Sequence, residues 1–293
     1  MVDFENIIYE VEENTGWITL NRPERLNALS RPLLAEVEEA LNAARDDENV
    51  RAIVIKGAGR AFSAGYDMNV QTQGERRRDA LFSALSSSAP QDMYKRAIWD
   101  NPKPVIAQVH SFTLAGGGHL ACHCDITIAS DDALFGYPPV RYASVMMPLV
   151  WPELVGMKKA KQMAFTGSMI TAQEALRVGL VSEVVPRDDL DDHVKALAKT
   201  IAKLPPESTH LNKMAINNYY ESQGLFQAIK FAGHLTNISY AASPEDLPFG
   251  LQDVNRVTAE SGMRAGFQYM NERFVDEDNA VAAVQMARPS REP

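Results

Sequence analysis

Cysteine is scarce in this chain: Cys122 and Cys124, one histidine apart, are the only two among 293 residues. A pair that close cannot cross-link a domain of this size, which excludes a disulfide-stapled scaffold. Long apolar runs are also missing. No uninterrupted stretch approaches the roughly 18 residues of a membrane-spanning helix, so no membrane partner is expected. Positive charge is in deficit, with 29 Lys and Arg against 38 Asp and Glu for a net charge of −9. That balance argues against a general phosphate-backbone binder, and no nucleic-acid partner is expected, although a local basic patch for one anionic ligand stays compatible with it. The opening "MVDFENIIYEVEE" lacks the charged, apolar and cleavable regions of a signal peptide, and a cytoplasmic location is the expectation. Neither an internal repeat nor a low-complexity tract stands out.

What is present is the material of a large core. With 45% hydrophobic and 23% charged residues, the chain suffices for one large domain or a core with a smaller appendage. The first half alternates strand-like runs ("NIIYEVEE", "GWITLNRP", "AIVIKG", "KPVIAQVH", "DITIAS") with helical patterns at about 31–45, over a polar stretch at 74–100, and from "AGGGHLACH" onward. In "TAQEALRVG", Thr171 reads as an N-cap, Glu174 as the return half of a capping box and Gly179 as the stop. From Leu190 the pattern is almost wholly helical, with "AASPEDLPFG" as a surface loop. The expected organisation is an α/β core over residues 1–200 and a helical region over 201–293.

Three consecutive glycines, Gly116, Gly117 and Gly118, stand where a strand turns into a helix. Glycine lets a ligand approach the backbone closely, and the first amides of a helix lack intrahelical partners at the positive end of its dipole, so the place suits an anion. The alternative is that the glycines merely allow tight packing. A second strand-to-turn segment of small residues, "GRAFSAGYDM" at 59–68, favours the first reading. One amide from each loop, aimed at a single oxygen, makes an oxyanion hole.

Four segments in order, "NRPERLNALS", "AFSAGYDM", "KPVIAQVHSFTLAGGGHLACHCDITIAS" and "FTGSMITAQEALRVGLVSEVVP", resemble the crotonase, or enoyl-CoA hydratase/isomerase, superfamily. The resemblance covers roughly residues 5–220. It implies a core of repeated ββα units coiled into a superhelix, a helical C-terminal region used in trimer contacts, and an acyl-CoA thioester as substrate. CoA would enter as part of the substrate, with no separate cofactor and no metal, and the assembly would be a homotrimer or a dimer of trimers. Carried over residue by residue, the amides of Ala64 and Gly117 would form the oxyanion hole, flanked by Gly65, Tyr66, Asp67, Gly116 and Gly118. Asp67 reads as a turn cap. Arg25, Leu26 and Ala28 would lie along the CoA nucleotide, and Phe267 and Arg273, in "FQYMNERF", would reach CoA from the C-terminal region.

The resemblance breaks where the chemistry should sit. A hydratase needs two carboxylates, one to activate water and one to deliver a proton. At the two positions where the family carries glutamates, this chain has Leu120 and Pro139, the latter in Phe135-Gly136-Tyr137-Pro138-Pro139. Between Gly136 and Gly156 there is no glycine, in place of the family's glycine-rich run. Candidate replacements are Tyr66, His119, His123, Tyr137 and Arg141, since histidine and tyrosine move or donate protons near neutral pH. Each histidine has the competing reading of a packed, hydrogen-bonded core residue. His119, Cys122 and His123 share a helical face, yet no second ligand cluster offers to complete a metal site, and the thiols read as small buried hydrophobes. His110 reads as a structural turn residue, and the Glu75–Arg78 run as a solvated face. Three functions remain open: an acyl-CoA enzyme that stabilises a thioester enolate with a non-standard proton-transfer residue, a CoA-independent hydrolase of β-diketone C–C bonds, and a non-catalytic acyl-CoA binder.

Overall fold

The computed structural model describes residues 4–67, 93–142, 150–241, 251–276 and 278. All but the first residue of the loop expected at 241–250, the Glu75–Arg78 run and most of the helix expected at 74–100 lie outside them; Ala241 itself ends a helix. The chain opens with a hairpin, β1 (Ile7–Glu12) and β2 (Thr15–Leu20), paired antiparallel from Ile7–Leu20 to Glu12–Thr15. Glu13 and Asn14 both take positive φ, as a two-residue hairpin turn requires. Helix α1 (Arg31–Asp46) starts at Ser30, whose hydroxyl accepts from the Leu33 amide, and buries Leu33, Leu34, Val37, Ala40, Leu41 and Ala44 along one face.

The pattern that follows repeats three times. A strand of a large sheet is followed at once by a short strand of a second sheet: β3 (Ala52–Gly57) then β4 (Ala61–Ser63), β5 (Val105–Val109) then β6 (Phe112–Leu114), β7 (Ile126–Ser130) then β8 (Leu134–Gly136). Helix α2 (Met93–Trp99) precedes the second pair, and α3 (Gly116–His123) follows it. The large sheet runs β1-β2-β3-β5-β7-β10, parallel except for the first hairpin, with β10 at Glu183–Val185. The small sheet runs β4-β6-β8-β9, its first three strands parallel, with β9 at Ile170–Thr171.

Strand side chains alternate between two cores. Ile53 and Ile55 join the main core with α1, whereas Ala52 and Val54 join a smaller one with Leu190, Val194 and Ala198 from a helix later in the chain. Such double-sided burial explains why "AIVIKG" is a continuous apolar run. Helix α4 (Trp151–Thr166) kinks at Gly156, and α5 (Ala172–Arg177) is capped by the Thr171 hydroxyl, which accepts from the Glu174 amide. The other half of the expected capping box is absent. The Glu174 carboxylate turns outward to Lys159 and Arg177, because two cations outbid one backbone donor.

Helix α6 (Leu190–Ala202) packs on the sheet, and the helical C-terminal region follows it as α7 (Pro206–Ser222), α8 (Leu225–Ala241), α9 (Leu251–Ser261) and α10 (Met263–Asn271). It is fastened to the core by Lys213, whose ammonium donates to the Ile98 carbonyl at 2.9 Å and to Asp125 Oδ2 at 2.7 Å. Among the described residues no helix is long and apolar enough to cross a membrane.

Candidate active site

Because β4, β6 and β8 are parallel neighbours, their C-terminal ends lie side by side. The residues that follow them, 64–67, 115–118 and 137–142, are thereby brought to one edge of the small sheet, the end of parallel strands where ligands bind. Contacts between the first two loops are tight. A Cβ added to Gly117 would stand 2.5 Å from the Ser63 carbonyl oxygen, and one on Gly65, whose φ is +108°, would stand 2.9 Å from the Ala115 Cβ. Only glycine permits this approach at both positions. The Tyr66 ring lies directly on Gly116.

The 21–30 segment braces the first loop. Asn27 is fully buried, donates its amide hydrogens to the Ala58 and Ala61 carbonyls at 2.9 and 2.8 Å, and accepts from the Arg22 amide at 2.9 Å. Ser63 Oγ donates to the Asn27 carbonyl and accepts from the Gly65 amide. Arg22 Nη1 donates to the Ala28 carbonyl at 2.8 Å and to Asp67 Oδ2 at 2.9 Å, so the Asp67 carboxylate serves an ion pair with the brace.

These bonds correct one expected role. The Ala64 amide donates to the Leu26 carbonyl at 2.9 Å, so it is spent inside the protein. Leu29 pairs with Tyr66 as in a parallel ladder, its amide bonding the Gly65 carbonyl and its carbonyl accepting from the Asp67 amide. In a parallel pair the residue opposite turns its own N–H and C=O the other way. Tyr66 is therefore the residue of this loop whose amide is directed away from the brace. Leu26 and Ala28 are half-buried with both carbonyls engaged in the same brace, and Arg25 is exposed.

On the second loop, Ala115 holds φ 47° and ψ −117°, a conformation costly for a residue with a Cβ, by about 1–3 kcal/mol. Its amide donates to the Gly136 carbonyl and its carbonyl accepts from the His119 amide, which fixes where α3 begins. The Gly117 amide lies in the first turn, where helix geometry supplies no acceptor. Gly118 packs against the Trp151 ring, and Leu120 is fully buried in the main core.

The side chains of α3 meet the third loop. His119 is fully buried, stacked on Tyr137 with ring centroids 5.1 Å apart and planes 17° apart, and Tyr66 approaches it edge-on at 6.1 Å. Among the described residues neither His119 nitrogen has a hydrogen-bond partner. Burial first, then the Lys95 ammonium and His123, hold this imidazole well below its ordinary pKa. His123 Nδ1 donates to the His119 carbonyl at 2.7 Å, and burial with Lys95 pushes its pKa down to about 3. Both rings are neutral at physiological pH. Burial pushes the Cys122 thiol up to about 12 and raises Cys124 as well, so both stay protonated. Among the described residues no group of three His, Cys, Asp or Glu side chains is placed to hold a metal ion.

Other candidates resolve into supports. His110 Nε2 bonds the Gly59 carbonyl at 3.0 Å, the structural role its position suggested. Pro139 is half-buried in a short helical turn, Pro138–Tyr142. Arg141 is committed to the C-terminal region: both its terminal nitrogens bond Asp278, at 2.8 and 2.9 Å, and the Phe274 ring stacks 4.1 Å from its guanidinium. It is thus removed from the proton-transfer candidates. Arg273 is exposed above the Tyr269 ring, and Phe267 lies on α10. Sequence reasoning missed Asn27, although it stands inside a quoted motif, and Lys95, whose signal was its place three residues before the buried Ile98 on one helical face.

Repeated strand pairs of two sheets thus press two glycine-bearing turns together at their ends. The chain belongs to the enoyl-CoA hydratase/isomerase family of the crotonase superfamily: residues 10–251 match the family called Enoyl-CoA hydratase/isomerase. It is 34% identical over 278 residues to the crotonyl-CoA hydratase of Syntrophomonas wolfei, covering 93% of this chain and 98% of that one. It is 35% identical over 226 residues to the short-chain-enoyl-CoA hydratase of Clostridium acetobutylicum, covering 74% and 82%. The crystal structure of an enoyl-CoA hydratase/isomerase from Xanthobacter autotrophicus Py2 superposes with a TM-score of 0.83 at 34% identity, covering 92% of this chain and 99% of that one.

Proposed function

We propose that this protein is an acyl-CoA enzyme that stabilises a thioester enolate between the backbone amides of Tyr66 and Gly117. The observation that carries the reading is the contact of the two loops: Gly117 against Ser63, and Gly65 against Ala115, with the Ala64, Gly65 and Asp67 amides all bound inward. Two donors fixed before the substrate arrives need no reorganisation as charge develops, and in a buried site each is worth about 10²–10³ in rate.

Proton transfer at the acyl chain falls to Tyr66, His119 and His123, since Leu120 and Pro139 occupy the two positions of the family's glutamates. The reaction is of the lyase or isomerase kind that the similar chains are named for, run with different proton-transfer groups. CoA enters as part of the substrate, its nucleotide along Arg25, Leu26 and Ala28, with Phe267 and Arg273 supplied from the C-terminal region. Exposed apolar side chains on α7 and α8, among them Leu211, Met214, Ile216 and Phe231, support a homotrimer or a dimer of trimers. Free, buried thiols accord with a cytoplasmic location.

Thermal unfolding with and without CoA thioesters tests the reading. A ligand at a hundred times its Kd stabilises the native state by about 2.7 kcal/mol, and crotonyl-CoA or acetyl-CoA should produce a shift of that order. In Gly117→Ala the new methyl collides with Ser63, and kcat should fall roughly 100-fold or more on any thioester the wild type turns over. Absence of stabilisation by CoA and by every acyl-CoA tried would sink the proposal. Turnover of cyclic β-diketones without CoA would favour the hydrolase instead, and tight binding without turnover would favour the binder.

A further inference from the structure

Several buried polar groups of this core are paired: His110 bonds Gly59, Asn101 bonds Leu41, Thr127 bonds Ala121 and Lys213 bonds Asp125. Others, such as Thr113 Oγ1 and Trp151 Nε1, have one atom without a partner among the described residues, and His119 has both ring nitrogens in that state. It is fully buried between Tyr66 and Tyr137, one from each flanking loop of the site, and both of its ring nitrogens lack partners among the described residues. Buried side chains of this kind are nearly always hydrogen-bonded, and each exception calls for a missing partner. A neutral imidazole offers one N–H donor and one lone pair.

We propose that the missing partner is the substrate: His119 hydrogen-bonds a second oxygen on the acyl chain, so that the site selects acyl-CoA thioesters carrying a keto or hydroxyl group near the thioester carbonyl. The inference rests on the acyl-CoA reading above and adds to it the chemistry of the acyl group. Three features agree. The His119 ring lies against Tyr66 and Tyr137, which come from the two loops that flank the glycine turn, so a polar group that an acyl chain carries past that turn is the one it would meet. A plain hydrocarbon chain would leave the ring dry and unpaired, and a site built to bond a polar group rejects analogues that lack it. Leu120 and Pro139 stand where the family's glutamates would be, so no carboxylate at either position repels an electronegative oxygen, and the Lys95 ammonium acts on the ring from the positive side.

The test is isothermal titration of butyryl-CoA, 3-hydroxybutyryl-CoA and acetoacetyl-CoA into the wild type, His119→Phe and His119→Gln at one pH and salt concentration. The wild type should bind both oxygenated thioesters at least about tenfold more tightly than butyryl-CoA. His119→Phe should bring the three within about twofold of one another, chiefly by weakening the oxygenated pair, and His119→Gln should retain most of the preference. Stabilisation of an enolised ligand by the two amides is common to all three proteins and cancels in the comparison. Equal binding of the three thioesters by the wild type overturns the inference whether or not His119→Phe folds, and so does an undiminished preference in a folded His119→Phe. Failure of every thioester to bind removes the acyl-CoA reading and this inference with it.

Discussion

Asn27 shows how one residue can set a site it does not line. Its positive φ of 52° is one that asparagine tolerates better than most side chains. The carboxamide then reaches two carbonyls of the adjoining turn and one amide of its own segment, and the backbone carbonyl receives the Ser63 hydroxyl. Asn27→Ala should cost about 3 kcal/mol in urea unfolding, because buried carbonyls lose their donors without water to replace them. Asn27→Asp should be at least as damaging, since it aims an anion at two carbonyl oxygens. In either variant kcat should fall more than KM rises, because the loop that carries Tyr66 loses its support.

Helix α3 spends its eight residues on opposite tasks. Its first turn must be bare so that loops can press against it, and the rest must be buried, which puts two histidines in the core. That arrangement makes acid stability a property of the element. His123 has a folded pKa of about 3, below the ordinary value near 6.5, so on acidification the unfolded state takes up a proton the folded state refuses. Its contribution is intact above pH 6.5 and drains away as pH falls toward 3. Burial is the main cause of the shift, the Lys95 ammonium lowers the pKa further, and the bond to the His119 backbone carbonyl opposes them. Between pH 7 and pH 5 the wild type should lose about 2 kcal/mol more stability than His123→Gln, which keeps a donor for the His119 carbonyl but cannot titrate. Parallel pH profiles of the two proteins in urea unfolding would refute this.

At the scale of the whole molecule, the C-terminal region does two jobs. Toward the core it is tied down by Lys213 on Asp125, by Asn217 on the Trp99 carbonyl and by Asp278 on Arg141. Away from the core, α7 and α8 leave Leu211, Met214, Ile216, Tyr219, Phe231 and Leu235 in water. Apolar side chains gathered on one region in this way fit an interface between copies better than a solvent face. Sedimentation equilibrium should give three or six times the 32.4 kDa chain mass, and Met214→Asp with Phe231→Asp should lower it without loss of helical signal. A monomer at micromolar concentration would end the assembly proposal.

Periodicity and turn chemistry in the sequence determined most of the elements, because those signals are local: the first strands, the helix at about 31–45, the Thr171 cap, the start of α3 at the three glycines and the helical C-terminal region. Local pattern also located Gly117 and the loop at 64–67. Tertiary structure alone decided which amides of that loop are consumed. Whether Ala64 donates to a substrate or to Leu26 depends on where a segment some forty residues earlier lies, and no spacing within "AFSAGYDM" records it. The same holds for the threefold strand pairing, which repeats in space without a repeat in sequence, since parallel strands need only apolar residues of the right length. Arg141 and His119 looked alike as replacements for a lost carboxylate. Folding brought Asp278 to Arg141 and brought His119 no described hydrogen-bond partner, because long-range packing decides which buried polar groups are satisfied and which are left for a ligand.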